Sequence, residues 1–398
     1  MSCIVRTHLL DARHKVLGYR LAWQAARGGD LQRLAACVAR SPDDGNQPGW
    51  AAGSGLAFLQ APAGALSPEA FPALDPDKTV ISLEEADFRV PTVGPAVKAL
   101  RQRGFGISLR MPQPRALPPA LVALLTHIEF AFDREQTVAR PALAAAPGAT
   151  PPLFVADGLA SWSDYQACAA LGLDAFVGHL HTSGSAPTSA TSGRLSPASV
   201  LVMQLIQMVQ SDADVRDLEA ALKQDAALAY RLLRCLNSAS FGLGVEVQSL
   251  RHAVSMMGYR PLLRWLALLL ASSSSKSNSP VLLQTAIVRG RFTELLGRGL
   301  LPANEADNLF VVGMFSLIDR LLGVPMGQAL DKVQLAGPVV QALLKREGIY
   351  GPFLKLAEAC ERADADPAAL ADAAFVTAEQ VNRAHVAALA WAGELQVA

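Results

Sequence analysis

Charge of one sign is missing from this 398-residue chain: 35 Lys and Arg stand against 35 Asp and Glu. Cut at Ser199, it holds 17 basic and 16 acidic residues before the cut and 18 and 19 after it. Neither part has the basic excess that draws a protein to nucleic acid or to an anionic membrane. Long hydrophobic runs are missing too. The most apolar window, Trp265 to Ala271, is closed by Arg264 and a serine run, well short of the roughly 20 apolar residues of a membrane span. The opening MSCIVRTHLLDARHK meets charge too early to form the apolar core of a signal peptide, so the expectation is a cytoplasmic protein. Cys3, Cys37, Cys168, Cys235 and Cys360 are odd in number and include no C-x-x-C pair, which argues for reduced, mostly buried thiols rather than disulfides or a metal site. There is no G-x-S-x-G elbow, no G-x-x-x-x-G-K-[ST] loop and no G-x-G-x-x-G fingerprint. What is present is apolar bulk. Hydrophobic residues make up 51% of a chain without net charge, which excludes disorder and leaves room for two or three domains.

The clearest boundary is TSGSAPTSATSGRLSPAS, residues 182–199, which has no hydrophobic period and reads as a flexible linker. Before it, residues 1–181 alternate short strand-like runs (Val16–Ala22, Gly55–Leu59, Thr79–Leu83, Gly106–Leu109, His127–Phe132, Leu153–Ala156 and Ala175–Val177) with helical patterns at 92–103, 118–125 and 161–171. That alternation predicts an α/β layout with a parallel sheet closed as a barrel. After it, residues 200–398 are helical in period throughout. Asp214, Asp225 and Ser249 are placed as helix caps, and Thr377 with Gln380 fits a capping box.

Two runs resemble known families. LNSASFGLGVEVQSLRHAVSMMG, residues 236–258, with KQDAALAYRLLRCLNSA, AIVRGRFTELLG and GMFSLIDRLLG around it, resembles the HDOD domain, an all-helical output module of bacterial signalling proteins related to the HD phosphohydrolases. Its signature falls on Asn237, Ser238, Phe241, Gly242 and Ser249. LLDARHKVLGYRLAWQ, RQRGFGISLRMP and PLFVADGLASWSDYQACAALGLDAFVGH more faintly resemble the EAL domain, a TIM-barrel-like phosphodiesterase of cyclic di-GMP. The order, EAL-like then HDOD, is similar to a class of two-domain bacterial signalling protein.

The EAL resemblance implies carboxylates and an amide around two divalent metals at the barrel mouth, and the matching positions are altered. The glutamate of the signature falls on Arg20, the asparagine near Gln60, the next glutamate on Ser82 and the Asp-Asp pair on Arg110 and Met111. The family's downstream arginine falls near Gln24, the lysine in HIEFAFD, which has none, and the late glutamate near Ala156 or Leu159. Glu84, Glu85, Asp133 and Asp157 read as solvated loop and strand-end acids. No histidine in the chain precedes an aspartate, as the HD phosphohydrolases would need; His252 reads as a packing residue, and His179 with His181, at the end of a strand-like run, lacks an acidic or cysteine partner. Tyr230, Arg231, Arg234 and Arg251 could form a small basic surface, though arginines on such helices are usually solvated.

The sequence therefore predicts a degenerate EAL-like domain and an HDOD domain that signals by binding another protein, with no catalytic residue, metal or cofactor. Two alternatives stay open: a sensor that binds cyclic di-GMP through Arg20 and Arg110 without cutting it, and a residual metal-dependent phosphodiesterase. Self-association of the chain is also left open.

Overall fold

The computed structural model describes residues 2–24, 29, 31–39, 50, 55–60, 66, 71, 74–112, 115–133, 151–180, 197–222, 224–225, 228, 230, 249, 251–252, 254, 258–272, 280–333, 335–362 and 364–395. The chain forms two compact units: residues 1–186 with 358–393, and residues 187–357 with the last few. Most of the linker at 182–199 lies outside the described residues.

The first unit is a closed eight-stranded barrel in sequence order, formed by β1 (Ile4–Leu10), β2 (Val16–Trp23), β3 (Leu56–Gln60), β4 (Thr79–Glu84), β5 (Gly106–Met111), β6 (His127–Ala131), β7 (Leu153–Leu159) and β8 (Ala175–Gly178). Helices α1 (Leu31–Ala39), α2 (Val93–Gln102), the short α3 (Pro119–Val122) and α4 (Trp162–Ala170) fall between strands. The seven strands read from the sequence are β2 to β8, parallel to their neighbours. The wholly parallel sheet needs correcting, because β1 is an eighth strand and runs antiparallel to both β2 and β8.

IVRTHLL does not read as a core strand because it carries Arg6 and His8, yet both are 1% exposed. His8 packs against the Tyr19 ring; what makes the burial of Arg6 tolerable arrives from the far end of the chain. Only His8–Leu10 pair with β8, which leaves the first half of β1 with an unmatched edge. There the N–H of Ile4 donates to Asn382 Oδ1 at 2.7 Å and the N–H of Arg6 to the Cys360 carbonyl at 2.9 Å. The Arg6 guanidinium donates to Glu361 at 2.6 Å and to His385 Nε2 at 2.8 Å. His385 Nδ1 then carries its proton and donates to the Ile4 carbonyl at 3.1 Å. Residues 358–393 are thus part of the barrel unit.

Inside the barrel, alternate residues face the axis. One layer is apolar, with Leu9, Phe58, Val80, Val155, Ala175 and Val177 packed together. Towards the C-terminal ends of the parallel strands, the inward positions turn polar.

The second unit is helical: α5 (Pro197–Gln210), α6 (Val215–Leu222), α7 (Tyr259–Ser272), α8 (Pro280–Gly297), α9 (Ala303–Phe315), α10 (Ile318–Leu322), α11 (Met326–Val333) and α12 (Gly337–Lys345), with α13 (Gly351–Ala359) next in the chain. α14 (Pro367–Ala373) and α15 (Ala378–Glu394) follow in the returning segment. α8 and α9 pack backbone to backbone through two glycines: a Cβ on Gly313 would stand 2.5 Å from the Arg289 carbonyl, and one on Gly290 3.0 Å from that of Phe310. The caps form as the sequence predicts. Asp214 accepts from the N–H of Arg216, Asp225 from that of Leu228 and Ser249 Oγ from that of His252, and Thr377 and Gln380 accept each other's backbone N–H. Cys3, Cys37, Cys168 and Cys360 form no disulfide, and Cys235 lies outside the described residues. Among the described residues no helix is long and apolar enough to cross a membrane.

Candidate functional site at the barrel mouth

The polar layer is built from strand register. Arg110 on β5 pairs with Glu84 on β4 and Glu129 on β6, and Asp157 stands on β7 beside Ala131 of β6. Arg20 reaches across from β2. Its guanidinium donates to Asp157 Oδ1 at 2.6 Å and also to Glu129 Oε2. Ser82 donates to the other Glu129 oxygen at 2.6 Å. Arg110 Nη2 donates to Asp157 Oδ2 at 3.1 Å, with Glu84 and Glu129 at 3.6 and 3.9 Å. The Arg20 side chain is 7% exposed, that of Glu129 fully buried, and that of Arg110 25% exposed.

Burial works against the charge on Arg20, but Glu129 and Asp157 outweigh it and hold its pKa above the ordinary arginine value. For Asp157 burial pushes upward, and Arg20 with Arg110 overcomes it, so that its carboxyl sits below the usual carboxylate range. Beneath them His127, edge-on to Phe58, is pushed down to about 4 by burial.

Of the residues named from the sequence, Arg20, Ser82 and Arg110 come together. Gln60 ends β3, half-buried and in register with Ala22 and Ser82. Met111 is buried one position beyond Arg110, on the alternate face. Gln24 belongs elsewhere: its amide donates to the Ala365 carbonyl at 2.8 Å. Ala156 and Leu159 are buried apolar residues. Glu85 pairs with Arg115, and Glu84 and Asp133 are exposed. Asp157 needs correcting, since it is drawn in between two guanidiniums rather than left in solvent. Glu129, the most buried acid of the mouth, escaped notice in HIEFA; its signal is an acid two positions after His127 on a strand that must alternate in and out. His179 follows β8 and His181 lies outside the described residues, as do Asn237, Ser238, Phe241, Gly242, Arg231 and Arg234. Ser249 caps its helix turn, Tyr230 is exposed and Arg251 pairs with Glu219.

The metal pair that the EAL resemblance implies does not fit the described residues. Arg20 bridges the two inner carboxylates with its own positive charge, and no group of three or more His, Cys, Asp or Glu is placed to hold a metal ion among the described residues. Two guanidiniums at the C-terminal mouth of a barrel can instead receive an oxyanion.

The fold and the comparisons define a class: a barrel unit with a helical unit whose residues 195–326 match the HDOD domain. Among relatives, the chain is similar to the cyclic di-GMP phosphodiesterase CdgJ of Vibrio cholerae, 26% identical over 375 residues that cover 91% of this chain and 85% of that one. YuxH of Bacillus subtilis is 23% identical over 73% of this chain and 72% of its own length. Among solved structures, Klebsiella pneumoniae BlrP1 in its calcium and cyclic di-GMP complex is 14% identical with a TM-score of 0.32, and the match covers 45% of this chain and about half, 54%, of that one. The likeness to CdgJ overturns one expectation. A chain with no enzymatic activity was inferred from the altered metal positions, but the relative aligned over nearly the whole chain is named as a phosphodiesterase, which points to an enzyme. Loss of the expected ligands is not by itself loss of reaction.

Proposed function

We propose that the chain is a cyclic di-GMP signalling protein whose barrel mouth receives the cyclic dinucleotide and whose HDOD half acts on another signalling protein. The carrying observation is Arg110, a partly exposed guanidinium at the mouth whose inner acids, Asp157 and Glu129, have other partners. A phosphodiester presents two oxygens that match a guanidinium fork. The name of the Vibrio relative adds a reaction class, hydrolysis of that phosphodiester. For it the mouth offers positive charge to the phosphate and two inward carboxylates, Glu129 and Asp157, as candidate proton acceptors. The degenerate EAL character of the site belongs to the same proposal, with Arg20, Ser82, Arg110 and Met111 standing where the pattern has metal ligands.

The test is calorimetric titration of the full chain with cyclic di-GMP, with and without Mn²⁺, followed by chromatography of the same samples for linear dinucleotide. Saturable binding supports the reading, and linear product extends it to the reaction of the relative. Absence of binding overturns it.

A further inference from the structure

We infer that the two arginines of the mouth divide their work: Arg110 is the exchangeable arm that engages the ligand's phosphate, Arg20 is a fixed strut, and Glu84 is the internal competitor that holds Arg110 back. The inference rests on the reading of the mouth as a cyclic di-GMP site.

The bonding of the two guanidiniums differs in kind. Arg20 makes short bonds to two acids at once and is almost wholly enclosed. Turning it towards a ligand would strand Glu129, which is fully buried and keeps only Ser82 at hydrogen-bonding distance. A buried carboxylate without its cation is strongly unfavourable. Arg110 has one contact within hydrogen-bonding range, 3.1 Å to Asp157; the others, at 3.6 and 3.9 Å, are too long. When Arg110 leaves, Asp157 keeps Arg20 at 2.6 Å and the N–H of Gly158 at 2.7 Å. Arg110 therefore exchanges a carboxylate for a phosphate while Asp157, its side chain 16% exposed, keeps its ion pair with Arg20. Glu84, its side chain 67% exposed, faces the same guanidinium from solvent. It attracts Arg110 in the free protein and repels an arriving phosphate, and both effects weaken binding.

The prediction has two variants of opposite sign, read by calorimetric titration of the full chain with cyclic di-GMP beside thermal melts. Arg110→Ala weakens binding by about tenfold or more, the loss of one charge-assisted bond, with a melting point close to wild type. Arg110→Lys restores part of that loss, because a point charge replaces a fork. Glu84→Gln tightens binding several-fold, a gain that a merely structural role for Glu84 would not give. If wild type binds and Arg110→Ala binds equally well, or Glu84→Gln binds no better, the division of work is wrong while the reading of the mouth stands. If wild type itself does not bind, both fall.

Discussion

The barrel unit and the helical unit both bury arginines against acids, in opposite ratios. In the barrel, Arg20 and Arg110 share Glu129, Asp157 and Glu84. In the helical unit Glu294 of α8, 1% exposed, takes Arg264 of α7 at 2.7 Å, Arg298 at 2.8 Å and Arg291 at 3.0 Å, while Asp307 of α9 takes Arg264 and Arg260. The same side chain responds in opposite directions. Arg20 is held above its ordinary value because two acids outweigh its burial. Arg291 falls below it, first by burial and then because Arg298 and Arg264 offset part of what Glu294 supplies. Burial would raise Glu294, but Arg291, Arg264 and Arg298 hold it low. One acid among several cations ties helices together. Cations among a surplus of acids leave one arginine only partly committed, and that one faces the opening.

The largest expected effect tests where the barrel unit ends. A chain stopped at residue 357 loses Glu361, Asn382 and His385, and with them these partners of Arg6 and of the edge of β1. Breaking a buried ion pair alone costs about 3–5 kcal/mol, a large part of an ordinary stability margin. Residues 1–186 made alone should give no cooperative melt by circular dichroism, and regain one when 358–395 is supplied. A cooperative melt from 1–186 alone would instead favour the division proposed from the sequence, 1–181 and 200–398 about a linker at 182–199.

Next come the two charge clusters. Arg20→Met and Glu294→Gln should each cost about 3–5 kcal/mol in urea unfolding at neutral pH. They should then part company. The acids stranded by Arg20→Met can take up protons, so that defect shrinks as pH falls towards 5. The arginines around Glu294 cannot shed their charge at any ordinary pH, so the defect left by Glu294→Gln persists. Equal pH dependence would erase the contrast between the units.

A smaller effect concerns the barrel unit's buried histidines. His385 is pushed down to about 3, by burial and then by Arg6, and His127 to about 4 by burial. Both are neutral in the fold and take a proton more readily when unfolded. Each therefore subtracts stability as pH drops from about 6.5 towards its folded value, at up to about 1.4 kcal/mol per pH unit. His385→Gln should flatten that acid slope of unfolding free energy between pH 6 and 4; an unchanged slope would mean that His385 charges without penalty.

The smallest effect is a gain. Phe375, just past the Ala374 cap of α14, has a φ of +57° and is 88% exposed, while the next N–H bonds back to the Ala371 carbonyl. This is a helix-terminating position that favours glycine. Phe375→Gly should stabilise the unit by about 0.5 kcal/mol, the left-handed strain removed less the added freedom of the unfolded chain, seen as a slightly higher melting point.

The legibility of these features follows from how far each depends on distant residues. Strands β2 to β8 show themselves through local β-branched runs and Gly or Pro punctuation, and the caps at Asp214, Asp225 and Thr377 through short-range spacing. β1 does not, because Arg6 looks like a surface residue until Glu361 and His385 arrive from more than 350 positions away. Arg20, Ser82 and Arg110 were legible as members of the mouth by motif position. Glu129 and the true setting of Asp157 were not, since both depend on Arg20 crossing the barrel interior from β2 to β6 and β7.

The central claim, that the mouth holds one fixed and one exchangeable arginine, is tested most directly by NMR of the full chain with ¹³Cζ-labelled arginine. Arg20 and Arg110 are assigned by Arg→Lys variants, and spectra are recorded as cyclic di-GMP is added. The account predicts that the Arg110 signal shifts with saturation while that of Arg20 stays in place. A shift at Arg20 with Arg110 unmoved, or no shift at either, would contradict it.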